Sequence, residues 1–160
     1  MNGNVVKNGM IFTFGHYKID VDTDETKRFY DQKEILGECP CAGCRNFEKA
    51  IDILPADILN FFESLGVDIR KAAEWAASHT NKNGKVFYTG FCHLNGTILN
   101  GDSSEHRVHM IQILNDLQIS FQNDCYLLEK DFPSPVIQME FVLFVPWVLP
   151  EENPYDVIND

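Results

Sequence analysis

Long apolar runs, basic residues and the common catalytic signatures are all scarce in this chain of 160 residues. Its longest near-continuous apolar stretch, Phe141 to Leu149, is interrupted by Pro146 and falls well short of the roughly 20 residues a membrane-crossing helix needs. The first residues, Met1-Asn2-Gly3-Asn4, carry no basic stretch followed by an apolar segment, so no secretory leader is expected and the chain is assigned to the cytoplasm. Lys and Arg number 13 against 24 Asp and Glu, a net charge of −11. Such a charge repels phosphate backbones and anionic lipid surfaces, so neither a nucleic-acid nor a membrane partner is expected. There is no Gly-x-Gly-x-x-Gly, no Walker-type Gly-Lys-Ser/Thr, no His-Glu-x-x-His and no Gly-x-Ser-x-Gly. The zinc deaminase signature is missing too, because no His-x-Glu precedes a Pro-Cys-x-x-Cys. No catalytic residue is assigned.

What is present is an ordinary globular mix, 44% apolar and 23% charged. The length suits a single domain over 1–160, with ends expected to fray at about 1–8 and 151–160. The acidic runs at 20–25 and 151–160 lack the oxygen spacing and glycine of an EF-hand and are read as solvated.

Period-two alternation predicts a strand over 10–21, followed by a short helix through Phe29 and Tyr30 capped by Thr23 or Asp24. Residues 37–43, with two glycines, a proline and two of the cysteines, read as an irregular loop. Three helical patterns follow. Phe47, Ala50, Ile51 and Leu54 share one face, as do Ile58, Phe61, Phe62 and Leu65, the second helix opening with Pro55 and stopping at Gly66. The third is expected from Asp68 to Ser78 on Ile69, Ala72, Ala73 and Ala76. Beyond the turn Asn81-Lys82-Asn83-Gly84, strands 86–94 and 97–99 flank Asn95-Gly96, a strong hairpin signal. A loop at 100–105 is followed by a second hairpin, 108–114 and 117–122, with a helical alternative over 107–115. The final strand, Val136 to Val145, has Ile137, Met139, Phe141, Leu143 and Val145 on one face. Its other face passes from Gln138 and Glu140 to Val142 and Phe144, and is expected to go from half-exposed to buried. The fold class is therefore α+β, an antiparallel β-sheet with a central block of short helices on one face.

Five cysteines break the otherwise plain composition, and three of them form Cys39-Pro40-Cys41-Ala42-Gly43-Cys44. In a reducing compartment, thiols this close point to a metal before a disulfide framework. Zn2+ is the expected cofactor, structural in role, held by Cys39, Cys41 and Cys44, with Gly43 giving the loop freedom to turn inward. A closed site needs a fourth ligand. His93 is the first choice and His16 the next, with Cys92, His79 and Cys125 also considered. Cys92 and Cys125 are most simply core residues, and His106 and His109 lie in or beside the loop after residue 100. Glu140 is a candidate general base if the protein is an enzyme.

The run Cys-Pro-Cys-Ala-Gly-Cys-Arg-Asn-Phe at 39–47 resembles the zinc motif of queuine-type tRNA-ribosyltransferases, a likeness confined to that stretch. The resemblance implies zinc ligation by Cys39, Cys41 and Cys44. The histidine that completes the site in that family falls on Arg70 here, and the length of that barrel enzyme is missing, so the activity is not carried over. Over nearly the whole chain the sequence is similar to an uncharacterised family of small bacterial proteins, mostly from Gram-positive species. The likeness rests on 39–47, Leu-Pro-Ala-Asp-Ile-Leu at 54–59, Leu-Gly-Val-Asp at 65–68, Tyr-Thr-Gly-Phe-Cys-His at 88–93 and 135–149. Tyr88 and His93 match the aromatic and histidine of that family's central strand, which favours His93 as fourth ligand. The expected function is a non-enzymatic binding or interaction module with a protein partner, as acidic immunity proteins neutralise basic nuclease toxins. The alternative is a small zinc-dependent hydrolase or transferase whose metal keeps an open position.

Overall fold

In the computed structural model, residues 6, 8–35, 39–101 and 110–156 are described. The chain folds as α+β, with an open antiparallel sheet of seven strands and three α-helices. Strands β1 (Met10–Phe14), β2 (Tyr17–Val21), β4 (Lys85–Asn100), β7 (Val136–Pro146), β6 (Leu117–Gln122) and β5 (Ile111–Leu114) lie side by side in that order, and β3 (Glu74–Thr80) also pairs with β4. Helices α1 (Thr23–Gln32), α2 (Ala42–Ala50) and α3 (Ala56–Ser64) precede β3. None of the described helices is long and apolar enough to cross a membrane.

The strand expected over 10–21 is instead a hairpin. Phe14 pairs with Tyr17 across the two-residue turn Gly15-His16, and Gly15 takes φ +58 at the first central position, where hairpin turns favour glycine. The turn reverses the alternation, so Phe12 and Phe14 share a face with Tyr17 and Ile19. Phe14 stacks on Phe121 of β6 at 6.1 Å and meets Phe61 of α3 edge-on at 5.5 Å, so the ring of an edge strand is packed against both the far half of the sheet and a helix. Asp22, rather than Thr23 or Asp24, caps α1 through the N–H of Glu25.

The helix expected from Asp68 to Ser78 shrinks to a single 3-10 turn, Ile69–Lys71, and the alanines after it are in β3. Helix propensity lost to pairing: Trp75, Ala77 and Thr80 face the core side opposite Gly90, Tyr88 and Val86, while a bulge between Ala77 and His79 resets the register. The hairpin expected at Asn95-Gly96 is also absent, because β4 runs straight through it. Neither residue has positive φ. Gly96 serves close approach, since a Cβ there would sit 2.5 Å from the carbonyl oxygen of Asp20, where β4 changes partner from β3 to β2. Between Phe91, paired with β3, and Gly96, paired with β2, no strand among the described residues lies beside that edge of β4. Helix α1 fills that gap with side chains. Tyr30 Oη donates to the carbonyl of His93 and accepts its N–H, and Thr26 Oγ1 accepts the N–H of Asn95.

The second hairpin forms as β5 and β6, so the helical alternative fails over 111–115; residues 102–109, with His106 and His109, lie outside the described residues. On β7 the expected apolar face is buried, but the other face runs opposite to expectation. Gln138 is fully buried while Val142 and Phe144 are half-exposed, because residues 123–135 fold over the Gln138 end. The tail expected to fray from 151 is held as far as Tyr155, as described below.

Candidate metal centre

The cysteine run is less irregular than its composition suggests. Helix α2 begins at Ala42, with Cys41 as its N-cap: Cys41 Sγ accepts the N–H of Cys44 at 3.4 Å, and its carbonyl accepts the N–H of Arg45. This is the role usually filled by a serine or aspartate oxygen, taken here by sulfur. One helical turn then sets Cys44 beside Cys41, and the extended residues before the cap bring Cys39 back so that Cys39 and Cys41 Sγ are 3.1 Å apart. All three sulfurs lie within 4.8 Å of one another. Sulfurs around one zinc stand roughly 3.8 Å apart, the edge of a tetrahedron with 2.3 Å bonds, so the cluster can hold a metal ion after small rotations. Cys39 and Cys41 are exposed and Cys44 is half-buried. The Cys39 thiol and then the Cys44 N–H hold the Cys41 thiol below its ordinary range, whereas burial and the two neighbouring thiols push Cys44 up.

The residues after the cysteines fasten this cluster to the sheet. Asn46 is fully buried and spends its whole amide: Nδ2 donates to Tyr88 Oη and to the Pro146 carbonyl, and Oδ1 accepts the N–H of Val148. Tyr88 Oη in turn donates to the Gly43 carbonyl at 2.7 Å, and burial pushes that phenol up to about 12. Phe47 stacks on Trp75 at 4.6 Å and leans on Tyr88. Arg45 donates to the Pro40 carbonyl and forms a two-pronged pair with Glu151, whose carbonyl accepts the Trp147 indole N–H. Tyr155 closes over α2. A Cβ on Gly43 would lie 2.7 Å from Tyr155 Oη, so this glycine allows close packing rather than the loop freedom expected of it. Asn46 and Tyr155 were not singled out by sequence reasoning. The available signal was a lone asparagine next to Phe47, on the helix face that packs on the sheet.

His93, the expected fourth ligand, is not brought to the cysteines. It alternates with Cys92 and Leu94 along β4, so its side chain points to the face opposite Tyr88 and α2. There it is 4% exposed, with Nε2 3.1 Å from Gln138 Oε1 and its ring against Phe91 and Phe132, and burial lowers its pKa. Gln138 Nε2 donates to Glu140, whose carboxyl is raised by burial. The other candidates are scattered. His16 sits in the β1–β2 turn against Tyr17, and His79 is on β3, not at a helix end, stacked on Phe87 at 4.7 Å. Cys92 is fully buried in the core, and Cys125 is half-buried beside β7. Among the described residues, no further His, Cys, Asp or Glu joins the three cysteines.

Comparison of the chain with family models, with curated proteins and with solved structures finds no match in any of the three. No relative therefore lends its activity to this chain.

Proposed function

We propose that Cys39, Cys41 and Cys44 bind one zinc ion that staples the residues before α2 to its first turn, in a domain that works by binding a protein partner rather than by catalysis. The observation that carries the metal is the convergence of three sulfurs within 4.8 Å. A structural role is supported by where the cluster stands: the exposed residues 39–41 have few apolar contacts of their own, while the turn they would be tied to is anchored through Asn46 and Phe47. A ligand that binds only the folded state adds about 4 kcal/mol at a thousand times its Kd. One equivalent of zinc is expected to raise the thermal midpoint of the wild type and to leave that of Cys41→Ser unchanged. A wild type that takes up zinc with no change in midpoint would refute the structural role, and one that takes up none would refute the site.

The acidic surface, −11 over the chain, supports a basic partner, whose association is expected to weaken as salt screens the charge. Elution at the monomer size at every ionic strength, from an extract of the native host, would count against a partner. The second reading, a hydrolase with an open metal position, has one observation in its favour, the exposed three-ligand cluster. Against it, Glu140 and His93 lie on the opposite face of the sheet.

A further inference from the structure

The three cysteines differ in what holds them. Cys44 is inside α2 and half-buried, whereas Cys39 precedes the helix and is exposed, next to the exposed cap residue Cys41. The Cys39 and Cys41 sulfurs are 3.1 Å apart. A disulfide bond is about 2.05 Å long, so closure requires an approach of roughly 1 Å, and Cys39 can supply it without disturbing the helix. The residues that fix α2 to the sheet, Asn46 and Phe47, are not involved in that movement.

We propose that Cys39 and Cys41 form a reversible disulfide by exchange with a low-molecular-weight disulfide, and that this closure switches the metal site off. In the first step the Cys41 sulfur, as thiolate, attacks one sulfur of R–S–S–R; that bond breaks, one RS− leaves, and Cys41 carries a mixed disulfide. In the second the Cys39 thiolate attacks Cys41 Sγ and expels the other RS−. Two protein thiols have then lost two electrons and two protons, and R–S–S–R has become two RSH. Cys44 keeps its thiol but is left as the single cluster ligand, too few to hold an ion. The disulfide stands on the sulfur geometry alone; only its effect on metal depends on the zinc reading.

The test uses the full chain, stripped of metal and reduced, then exposed to glutathione disulfide. The chain's five free thiols are expected to fall to three with no glutathione retained, peptide mapping should find the Cys39–Cys41 link, and zinc uptake should return after reduction. Cys39→Ser should instead stop at a glutathione adduct on Cys41. A wild type that retains the adduct, stays fully reduced or links Cys41 to Cys44 would overturn the proposal. A protein that forms the Cys39–Cys41 link but takes up no zinc when reduced would overturn the metal reading and leave the disulfide standing.

Discussion

Two groups of chemically capable side chains stand on opposite faces of the same sheet, and they have been treated in opposite ways. On the outer face, the buried His93 and Gln138 and the half-buried Glu140 form a row in which each member is hydrogen-bonded to the next, closed off by Tyr126 donating its N–H to Gln138. At the start of α2 the three thiols are at or near the surface, with only weak bonds to one another and to a backbone N–H. In that row Gln138 has committed both ends of its amide to the fold, and His93 and Glu140 are each tied to it. The thiols retain their bonding capacity for a ligand, because neighbouring residues carry the structural load in their place. Proximity of polar groups is thus a poor guide to function until one asks which of them already have partners.

If that division holds, the largest losses of stability at the α2 end come from the anchor and not from the sulfurs. Phe47→Ala removes a fully buried ring between Trp75 and Tyr88 and is expected to cost about 3–5 kcal/mol in the metal-free protein, read from the denaturant midpoint. A cost below about 0.5 kcal/mol, the range of surface substitutions, would break the contrast. Asn46→Ala strands Tyr88 Oη, the Pro146 carbonyl and the Val148 N–H, of which Tyr88 keeps its bond to Gly43. Its expected cost is about 2–3 kcal/mol. Near-neutral behaviour in the same measurement would mean that water substitutes for the amide and that the helix is held by apolar contact alone.

The contrast between the two faces was only partly legible in the sequence. The cysteine spacing is local, and one helical turn suffices to bring Cys41 and Cys44 together, so the cluster could be read from residue order. The strand assigned to 136–145 was legible for a similar reason, since Ile137 to Val145 alternate without interruption. Glu74 to Thr80 misled because alanines carry a helical preference that pairing with β4 overrides, and no local signal announces that pairing. Asn95-Gly96 misled because each residue has a use besides turning a chain: buried Asn95 donates its amide to the Pro133 and Pro135 carbonyls, and Gly96 permits the close approach of Asp20. His93 stands away from the cysteines because alternation tells which residues share a face, not which face the helices will cover.

The smallest expected effect lies at Glu140, the half-buried end of the outer-face row. The Glu140 carboxyl is raised above its ordinary range mainly by burial, opposed by the Gln138 hydrogen bond and reinforced by Glu74. A carboxyl whose pKa is higher in the folded than in the unfolded state binds its proton more tightly when folded, so folding is penalised in full above the folded pKa and not at all below the unfolded one. Glu140→Gln keeps the shape, removes that charge and leaves an amide oxygen to accept from Gln138. It is expected to stabilise the protein at pH 7 by less than about 1 kcal/mol, with the gain fading as the pH falls through the raised folded pKa toward the ordinary glutamate value and gone below it, where the carboxyl is neutral in both states. Paired denaturant curves at pH 7 and pH 4 check this. A loss of stability at pH 7 would mean that the charge of Glu140 is wanted where it is, and the row on the outer face would then have to be counted, like the thiols, among groups held ready for a ligand.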